Sequence, residues 1–293
     1  MNPKLNRQLA IQYHILRRLI QDDKKLNALI TKDNVQELLD AKKFYDKYFV
    51  PQQNVSQIPM LFKLIQRETE AAFKRVSTKV HIVHKYDERY PKSILQDFRD
   101  EAPMFIYLSG GVEVFDRKYK KISFFSTTKS HDEYIQDSLD LVKRLKGTAF
   151  VAIIQFNTLM DNLLFLEFQK IGVPCIVVFR GPITKDLENS IKKYNPRFKR
   201  GLKGMNIMSV TGPFNEVMSE VTQTRLMNSM GHVSVLFSHD VADVNHEAIR
   251  NNLNWRKPSL MPLLNGSEYP SSELLFTLEK GDDFVVTLNR LFD

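Results

Sequence analysis

The alternation of short apolar runs with helical apolar patterns is clearest between Lys121 and Arg180. Three runs, Ile122–Phe125, Phe150–Ile154 and Cys175–Phe179, have the length of buried strands. Apolar residues recur at helical spacing between the first and second runs and again between the second and third. Connections of this length join parallel strands, and strands covered on both faces are apolar throughout. The pattern therefore predicts an α/β fold with a doubly wound, mostly parallel Rossmann-like sheet.

The segments before this region differ in pattern from each other. Residues 1–78 have helical apolar spacing and predict four or five short helices, one of which begins after Thr31–Asp33 and continues through NVQELLDAKKFYDKYF. From residue 79 the pattern predicts a strand, a Tyr90-Pro91 turn with a short helix, and a second strand. We therefore expect a helical accessory domain at 1–78 and a Rossmann-like domain at 79–293 that includes the leading strand-turn-strand segment.

Composition narrows the class of protein. Of 293 residues 43% are hydrophobic and 26% charged, as in an ordinary soluble protein. No apolar run approaches the roughly 20 residues of a membrane-spanning helix, and the start MNPKLNRQ lacks the pattern of a signal peptide, so we expect a cytoplasmic protein with no membrane partner. The single cysteine, Cys175, lies within a predicted strand and is expected to be a buried, inert thiol.

Enzyme and metal-site motifs are absent from the sequence. It has no Walker loop, no Gly-x-Ser-x-Gly, no His-Glu-x-x-His and no cysteine pair, and the seven histidines are scattered. We therefore expect no catalytic residues, no metal site and no cofactor.

The segment that leads into the predicted sheet carries a family resemblance. Its spacing resembles the segment ahead of the Rossmann-like domain in the DNA-processing protein A family, also called Smf: a strand, an acidic residue, Tyr-Pro, Leu-Leu, Asp-x-Pro and Leu-Tyr-x-x-Gly. The corresponding residues here are Asp87, Tyr90-Pro91, Ile94-Leu95, Asp100 with Pro103, and Ile106-Tyr107 with Gly110. The spacing differs by one extra residue between Asp100 and Pro103.

The resemblance continues to Asp293 in order and spacing, but without the family's glycines. Where the family has Val-Gly-Ser-Arg after its first strand, this chain has Phe125-Ser126-Thr127-Thr128-Lys129. Where the family has Ser-Gly-x-Ala-x-Gly-Ile-Asp, this chain has Ile154 to Asp161 and keeps only the aspartate. Glycines allow backbone amides to approach a phosphate, so the bulkier residues here predict a degenerate ligand loop, with Gln155, Asn157 and Asp161 as its polar residues.

The resemblance implies a function. It implies a non-catalytic single-stranded-DNA-binding protein that acts as a homodimer and delivers the strand to a RecA-type recombinase during uptake of foreign DNA, that is, in natural transformation and recombination. An alternative on the same degenerate fold is a nucleotide-ligand sensor or a protein-interaction module.

A basic run is the most informative charge feature, in a chain with a net charge of +8. No acidic residue lies between Glu188 and Glu216, whereas Tyr194 and Phe198 lie among lysines and arginines, a mixture that suits phosphates and stacked bases. Three further cations, Lys129, Arg180 and Arg225, are expected on the same rim at the carboxyl ends of the strands. The candidate DNA-binding residues are Lys129, Arg180, Lys192, Lys193, Arg197, Lys199, Arg200, Lys203 and Arg225.

Two other features leave alternatives open. The amino-terminal helices either pack on the sheet as an accessory domain or bind nucleic acid or a partner through Arg17, Arg18, Lys24 and Lys25. Trp255, beside Arg256 and Lys257, either offers a stacking platform for a base or packs a helix end against the sheet.

Overall fold

A nine-stranded sheet lies at the centre of the part of the chain that the structure describes. This computed structural model describes residues 3–49, 58–115, 118–126, 132–194, 205–214, 216–238, 244–263, 272–278 and 281–292. The strands are β1 (Val80–His84), β2 (Phe105–Ser109), β3 (Lys120–Ser126), β4 (Phe150–Ile154), β5 (Cys175–Val178), β6 (Met205–Ser209), β7 (Val233–Phe237), β8 (Ser259–Met261) and β9 (Leu275–Thr277). The helices are α1 (Pro3–Ile20), α2 (Asp23–Leu29), α3 (Ala41–Tyr48), α4 (Ile58–Arg75), α5 (Lys92–Phe98), α6 (Asp132–Lys143), α7 (Leu159–Ile171), α8 (Lys185–Tyr194), α9 (Glu220–Met230), α10 (His246–Asn254) and α11 (Phe284–Arg290).

The sheet has the order β1-β2-β6-β5-β4-β3-β7-β8-β9. All pairs from β6 to β9 are parallel, whereas β1 and β2 pair antiparallel with each other and β2 pairs antiparallel with β6. The predicted succession of strand, helix, strand, helix and strand is confirmed as β3, α6, β4, α7 and β5. The chain therefore has the predicted α/β, doubly wound and mostly parallel sheet.

Apolar residues on successive positions of the central strands point to opposite faces, and each face has its own core. In β4, Phe150, Ala152 and Ile154 belong to one core and Val151 and Ile153 to the other. The first core is completed by residues of α1, α6, α7 and α11, and the second by residues of α5, α9 and α10. This coverage explains why the strands read as continuous apolar runs. Cys175, at the start of β5, is buried as predicted.

The amino-terminal helices differ from the prediction at one point. The segment expected to form one helix after Thr31–Asp33 is divided into a 3-10 helix at Val35–Leu39 and α3. The division falls at Asp40, whose carboxylate accepts a hydrogen bond from the backbone N–H of Lys43 and so begins a new helix. The segment VPQQNVSQIP at residues 50–59, whose two prolines and amide side chains predict the loop that ends this helix, lies mostly outside the described residues.

The amino-terminal helices share the first core with the sheet. Leu9, Ile15 and Leu16 of α1 are buried in it, and Asn6 donates hydrogen bonds to the backbone oxygen of Ile82 in β1 (2.8 Å) and to Asp87 Oδ2 (2.9 Å). The boundary expected between residues 78 and 79 falls in the connection from α4 to β1. The division into two domains stays a prediction. Among the described residues, no helix has both the length and the apolar character needed to cross a membrane.

Candidate nucleic-acid interface

The carboxyl ends of the parallel strands define one edge of the sheet, which we call the carboxyl edge. Ser126, Ile154, Val178, Ser209 and Phe237 end β3, β4, β5, β6 and β7. Ligands of doubly wound sheets bind outside this edge, where the turns into the following helices lie. The candidate residues were expected here.

The turn between β4 and α7 is occupied by the protein's own carboxylate. Asp161, fully buried, accepts hydrogen bonds at Oδ2 from the backbone N–H groups of Asn157 (3.0 Å) and Thr158 (2.9 Å). Thr158 caps the helix in return, since its Oγ1 accepts from the backbone N–H of Asp161 at 3.1 Å. Two amides that a glycine-rich loop would offer to a phosphate therefore already bind an anion from the chain itself.

Asp161 also ties this turn to the neighbouring strand. Ser126, the last residue of β3, donates its hydroxyl hydrogen to Asp161 Oδ1 at 2.6 Å. The sequence signal for this arrangement was the spacing Thr158-x-x-Asp161, which is that of a capping box. The family resemblance singles out Asp161 as the surviving residue of a motif, but it does not indicate this local role.

The other two polar residues of the loop, Gln155 and Asn157, belong to a series of hydrogen-bonded side-chain amides at the carboxyl edge. Asn157 Nδ2 donates to Gln223 Oε1 at 2.8 Å and lies 3.4 Å from Gln155 Oε1. Gln223, buried in α9, donates in turn to the backbone oxygen of Val178 at 2.6 Å. The structure thus brings Gln155, Asn157 and Asp161 together, and their hydrogen bonds fix the turn against β5 and α9.

Arg180 lies at the carboxyl edge, two residues after the end of β5. Its Nε donates to the backbone oxygen of Met218 at 2.9 Å, and its Nη1 forms an ion pair with Glu220 Oε1 at 2.8 Å. The guanidinium is half-buried and links the turn after β5 to the start of α9. Because Glu220 is exposed, this pair contributes little free energy, roughly 0–1 kcal/mol.

Arg225 lies in the middle of α9 and faces α5. Its guanidinium carbon lies 4.5 Å from the ring centroid of Phe98, and Nη1 and Nη2 donate to Glu101 Oε2 at 3.1 and 3.2 Å. Arg180 and Arg225 therefore contact different helices and different carboxylates, rather than forming one cationic pair on the rim.

The basic run falls largely outside the described residues. Lys192 and Lys193 are residues of α8. The other cations of the run lie outside the described residues, as does Lys129; they are Arg197, Lys199, Arg200 and Lys203. The strand that follows the run, β6, begins at Met205, which pairs with Cys175, the first residue of β5. The chain therefore re-enters the sheet at the edge opposite to the carboxyl edge.

A cavity of about 310 Å³ lies between α1 and the carboxyl end of β6. Its wall includes His14, whose Nε2 lies 2.8 Å from the hydroxyl oxygen of Tyr107 in β2, and Arg17, which pairs with Asp23 at 2.8 Å and with Glu216 at 2.7 Å. Burial, with smaller effects of the two neighbouring arginines, lowers the pKa of His14 to about 3. One of the amino-terminal arginines considered for partner binding is thus part of the joint between helices and sheet.

Trp255 packs against Phe98 at the end of α10. It caps the end of α10, is half-buried, and lies 6.2 Å from Phe98 between ring centroids, with Lys257 Nζ 5.4 Å from its own ring. Of the two alternatives, these contacts favour packing of a helix end.

Comparison with known proteins gives a fold. No family model and no curated protein matches the sequence. Among solved structures, DNA processing protein A from Streptococcus pneumoniae is 12% identical, with a TM-score of 0.56 over 97% of this chain and 95% of that one. DNA processing protein A from Helicobacter pylori, described for its single-stranded-DNA binding mode, is 14% identical, with a TM-score of 0.48 over 72% of this chain and 87% of that one. The molybdenum cofactor carrier protein of Chlamydomonas has a TM-score of 0.39 at 11% identity, over 59% of this chain and 97% of that one.

The class of protein defined by the sheet is a Rossmann-like α/β protein. More narrowly, the chain has the fold of DNA processing protein A along nearly its whole length, at 12% sequence identity.

Proposed function

We propose that this chain is a non-catalytic DNA-processing protein that binds single-stranded DNA. The observation that carries the proposal is the near-complete overlap with DNA processing protein A, which extends over 97% of this chain and 95% of that protein. A net charge of +8 supports a polyanionic partner. The degenerate loop is compatible with the proposal, because a flexible strand binds through many phosphate contacts rather than through one glycine-rich phosphate-binding loop.

The proposed phosphate contacts involve cations that can exchange a carboxylate partner for a DNA phosphate. Six of them belong to the basic run, and Lys129 is a seventh. Arg180 and Arg225 are held by Glu220 and Glu101, both exposed, and exposed ion pairs cost little to exchange for a phosphate. The aromatic residues of the run, Tyr194 and Phe198, would stack on bases.

The finer parts of the proposal follow from the family resemblance. The protein acts as a homodimer in the cytoplasm, takes up a single strand of incoming DNA and transfers it to a RecA-type recombinase. Light scattering of the purified protein tests the dimer, and a strand-loading assay with a RecA-type recombinase tests the transfer. A monomer at micromolar concentration, or recombinase loading that the protein does not accelerate, would contradict these parts.

Salt dependence tests DNA binding most directly. Six contacts to a single strand predict a slope of about −4 for log K against log salt concentration, because each contact releases condensed counterions. Fluorescence anisotropy of a labelled oligonucleotide between low and moderate salt measures this slope. Binding that is insensitive to salt, or no binding at low salt, would refute the proposal.

Charge reversal locates the contacts. The triple variant Arg197→Glu, Lys199→Glu and Arg200→Glu should lose DNA binding and keep its circular dichroism spectrum. The matched control reverses three exposed lysines of the amino-terminal helical region, Lys32, Lys42 and Lys43, and has the same net charge. Equal losses in both variants would indicate an effect of overall charge and not of the run.

A protein-interaction role is the second candidate, and apolar exposure at the carboxyl edge favours it. Leu159 is 66% exposed at the start of α7 and Val217 is 64% exposed just before α9, on two segments that Asn157 and Gln223 join. Contiguous exposed apolar patches mark protein contacts, and the proposal is that these two side chains belong to one such patch. Leu159→Asp should then weaken a dimer in light scattering while oligonucleotide binding is retained; loss of DNA binding alone would argue against this second role.

A further inference from the structure

Exposed cations lie along the edge of the sheet opposite to the carboxyl edge, where the parallel strands begin. Lys120 is the first residue of β3, and Arg144 and Lys146 lie in the turn from α6 to β4. Arg290 is the last residue of α11. All four side chains are exposed, and we call this set of four residues the amino rim.

Strand pairing and ring contacts bring the residues of the amino rim together. The turn from α6 enters β4 at Phe150, and Lys120 is the register partner of Phe150 in the β3–β4 pair. The ring of Phe292, two residues after Arg290, stacks on the ring of Phe150 with 5.4 Å between centroids. Lys120 Nζ lies 5.1 Å from the centroid of the Phe292 ring. Segments that are distant in sequence therefore form one surface here.

The cations of the amino rim differ from the two arginines described at the carboxyl edge. Arg180 and Arg225 each form an ion pair with a glutamate. Within the described part of the chain, no side chain of the amino rim forms an ion pair. A phosphate at the amino rim therefore has no carboxylate of this part to displace.

Helix ends explain part of the positive charge at this edge. α6, α7 and α11 end here, and a basic residue in a last turn is favourable because each helix end carries about half a negative charge. Lys143 and Lys170 are in the last turns of α6 and α7 and pair with Asp140 and Glu167 at 2.6 and 3.7 Å, and Arg290 is in the last turn of α11. The other three cations of the amino rim lie outside helices, so this structural role does not explain them. Three helix ends together contribute roughly −1.5 charges, fewer than the positive charges of the amino rim.

The aromatic rings beside the amino rim already have packing partners. Phe292 stacks on Phe150 and has Lys120 near its ring, and Lys118 Nζ lies 5.1 Å from the ring centroid of Tyr119. Cations attract the phosphates of a nucleic acid, whereas stacking on its bases requires an open ring face. The amino rim therefore suits the phosphate backbone of a nucleic acid and not its bases.

The strand order connects the amino rim to the basic run. The basic run precedes β6 in the sequence, and β6, β5, β4 and β3 are successive neighbours in the sheet and begin at this same edge. The starts of β6 and β4 are two strand spacings apart, roughly 10 Å. About three phosphates of one strand span this distance.

We infer that the amino rim is a backbone contact of the proposed single-stranded DNA, with its four cations as phosphate ligands. This inference rests on the proposed DNA binding and adds a surface at the edge opposite to the one where the family resemblance places the ligand loop. The contacts add to those of the basic run. The salt dependence of the wild type is therefore steeper than the slope of about −4 that six contacts give.

Neutralisation of the amino rim tests this contact. The rim variant removes the three cations that lie outside helices; its substitutions are Lys120→Gln, Arg144→Gln and Lys146→Gln. The matched control removes the same net charge from the amino-terminal helical region; its substitutions are Lys32→Gln, Lys42→Gln and Lys43→Gln. Fluorescence anisotropy of a labelled oligothymidine at several salt concentrations measures affinity and slope. We expect the rim variant to bind at least tenfold more weakly at low salt with a slope less steep by about 2, because each contact contributes about 0.7, and the control to bind as the wild type.

The outcomes separate this inference from the proposed function. Absence of DNA binding by the wild type overturns both. DNA binding by the wild type with equal affinity and slope in the rim variant, or with equal losses in rim variant and control, overturns the amino rim and leaves the proposed function standing. Circular dichroism checks that each variant is folded, and the single substitution Lys146→Gln, with an expected slope change of about 0.7, replaces the triple variant if that variant unfolds.

An abasic oligonucleotide tests that the contact is to the backbone alone. The rim variant should lose affinity by the same factor for the abasic strand as for oligothymidine, because both strands carry the same phosphates. A loss that occurs only with the base-containing strand would overturn the assignment of these cations to phosphates.

Discussion

His14, which lies between the amino-terminal helices and the sheet, is expected to make the stability of the protein depend on pH. The ring is buried in α1, lies 2.8 Å from the Tyr107 hydroxyl, and packs among the rings of Phe73 and Phe214. Its Nδ1 has no hydrogen-bond partner in the structure. Since burial lowers the pKa of His14 to about 3, the folded protein keeps this ring neutral over a pH range in which the unfolded chain binds a proton.

The sign and size of the effect follow from that difference. An unfolded histidine titrates near pH 6.5, so below this pH the unfolded state gains a proton that the folded state does not, and the free energy of unfolding decreases. Between about pH 7.5 and pH 5 the loss from this one group is about 2 kcal/mol, and it continues until the folded ring titrates near pH 3. His84 and His232 also have lowered pKa values and act in the same direction.

Comparison with His14→Gln isolates the contribution of one ring. Glutamine places an uncharged amide near the position of Nε2, so the variant should be less stable at about pH 7.5 but should lose about 2 kcal/mol less than the wild type on acidification to about pH 5. Urea denaturation at both pH values, followed by circular dichroism, measures the difference. Parallel losses in the two proteins would refute the assignment. Separate transitions for helices and sheet would support the predicted division at residue 78.

Three further perturbations test the contacts described above. Asp161→Asn replaces one carboxylate oxygen with a hydrogen-bond donor and should cost about 1–3 kcal/mol in urea denaturation; an unchanged midpoint would contradict the capping role. Lys257→Met removes the donor to the backbone oxygens of Asn228 and Ser229 and to the Asp97 carboxylate and should lower the free energy of unfolding by about 2 kcal/mol in urea denaturation; an unchanged midpoint would argue against these contacts. Gly231→Ala brings a methyl group against the Ser123 hydroxyl and should cost about 1–3 kcal/mol by crowding, part of which Ser123→Ala restores in the double variant; additive losses would exclude the clash.

Local pattern determined most of the elements. Apolar runs four or five residues long lie within β3, β4 and β5 because a strand buried on both faces is mostly apolar, and Tyr90-Pro91 precedes α5 because proline suits the start of a helix. The break of the helix at Asp40 could also have been predicted, since aspartate is a preferred first capping residue. The capping box formed by Thr158 and Asp161 could likewise have been predicted from the spacing of these two residues.

Other features depend on residues that are distant in sequence, and only the tertiary structure decided them. The ion pairs of Arg180 with Glu220 and of Arg225 with Glu101 join segments 40 and 124 residues apart, so no local pattern could show that these cations have partners. A cavity of about 930 Å³ is lined by the start of α5, the start of β3 and the end of α9, three segments that are distant in sequence. Hydrophobic periodicity is a property of neighbouring residues, whereas charge partners and cavities are properties of the packed chain. For this reason the sequence alone determined the sheet and its helices, while the structure decided which charges are paired and where the cavities lie.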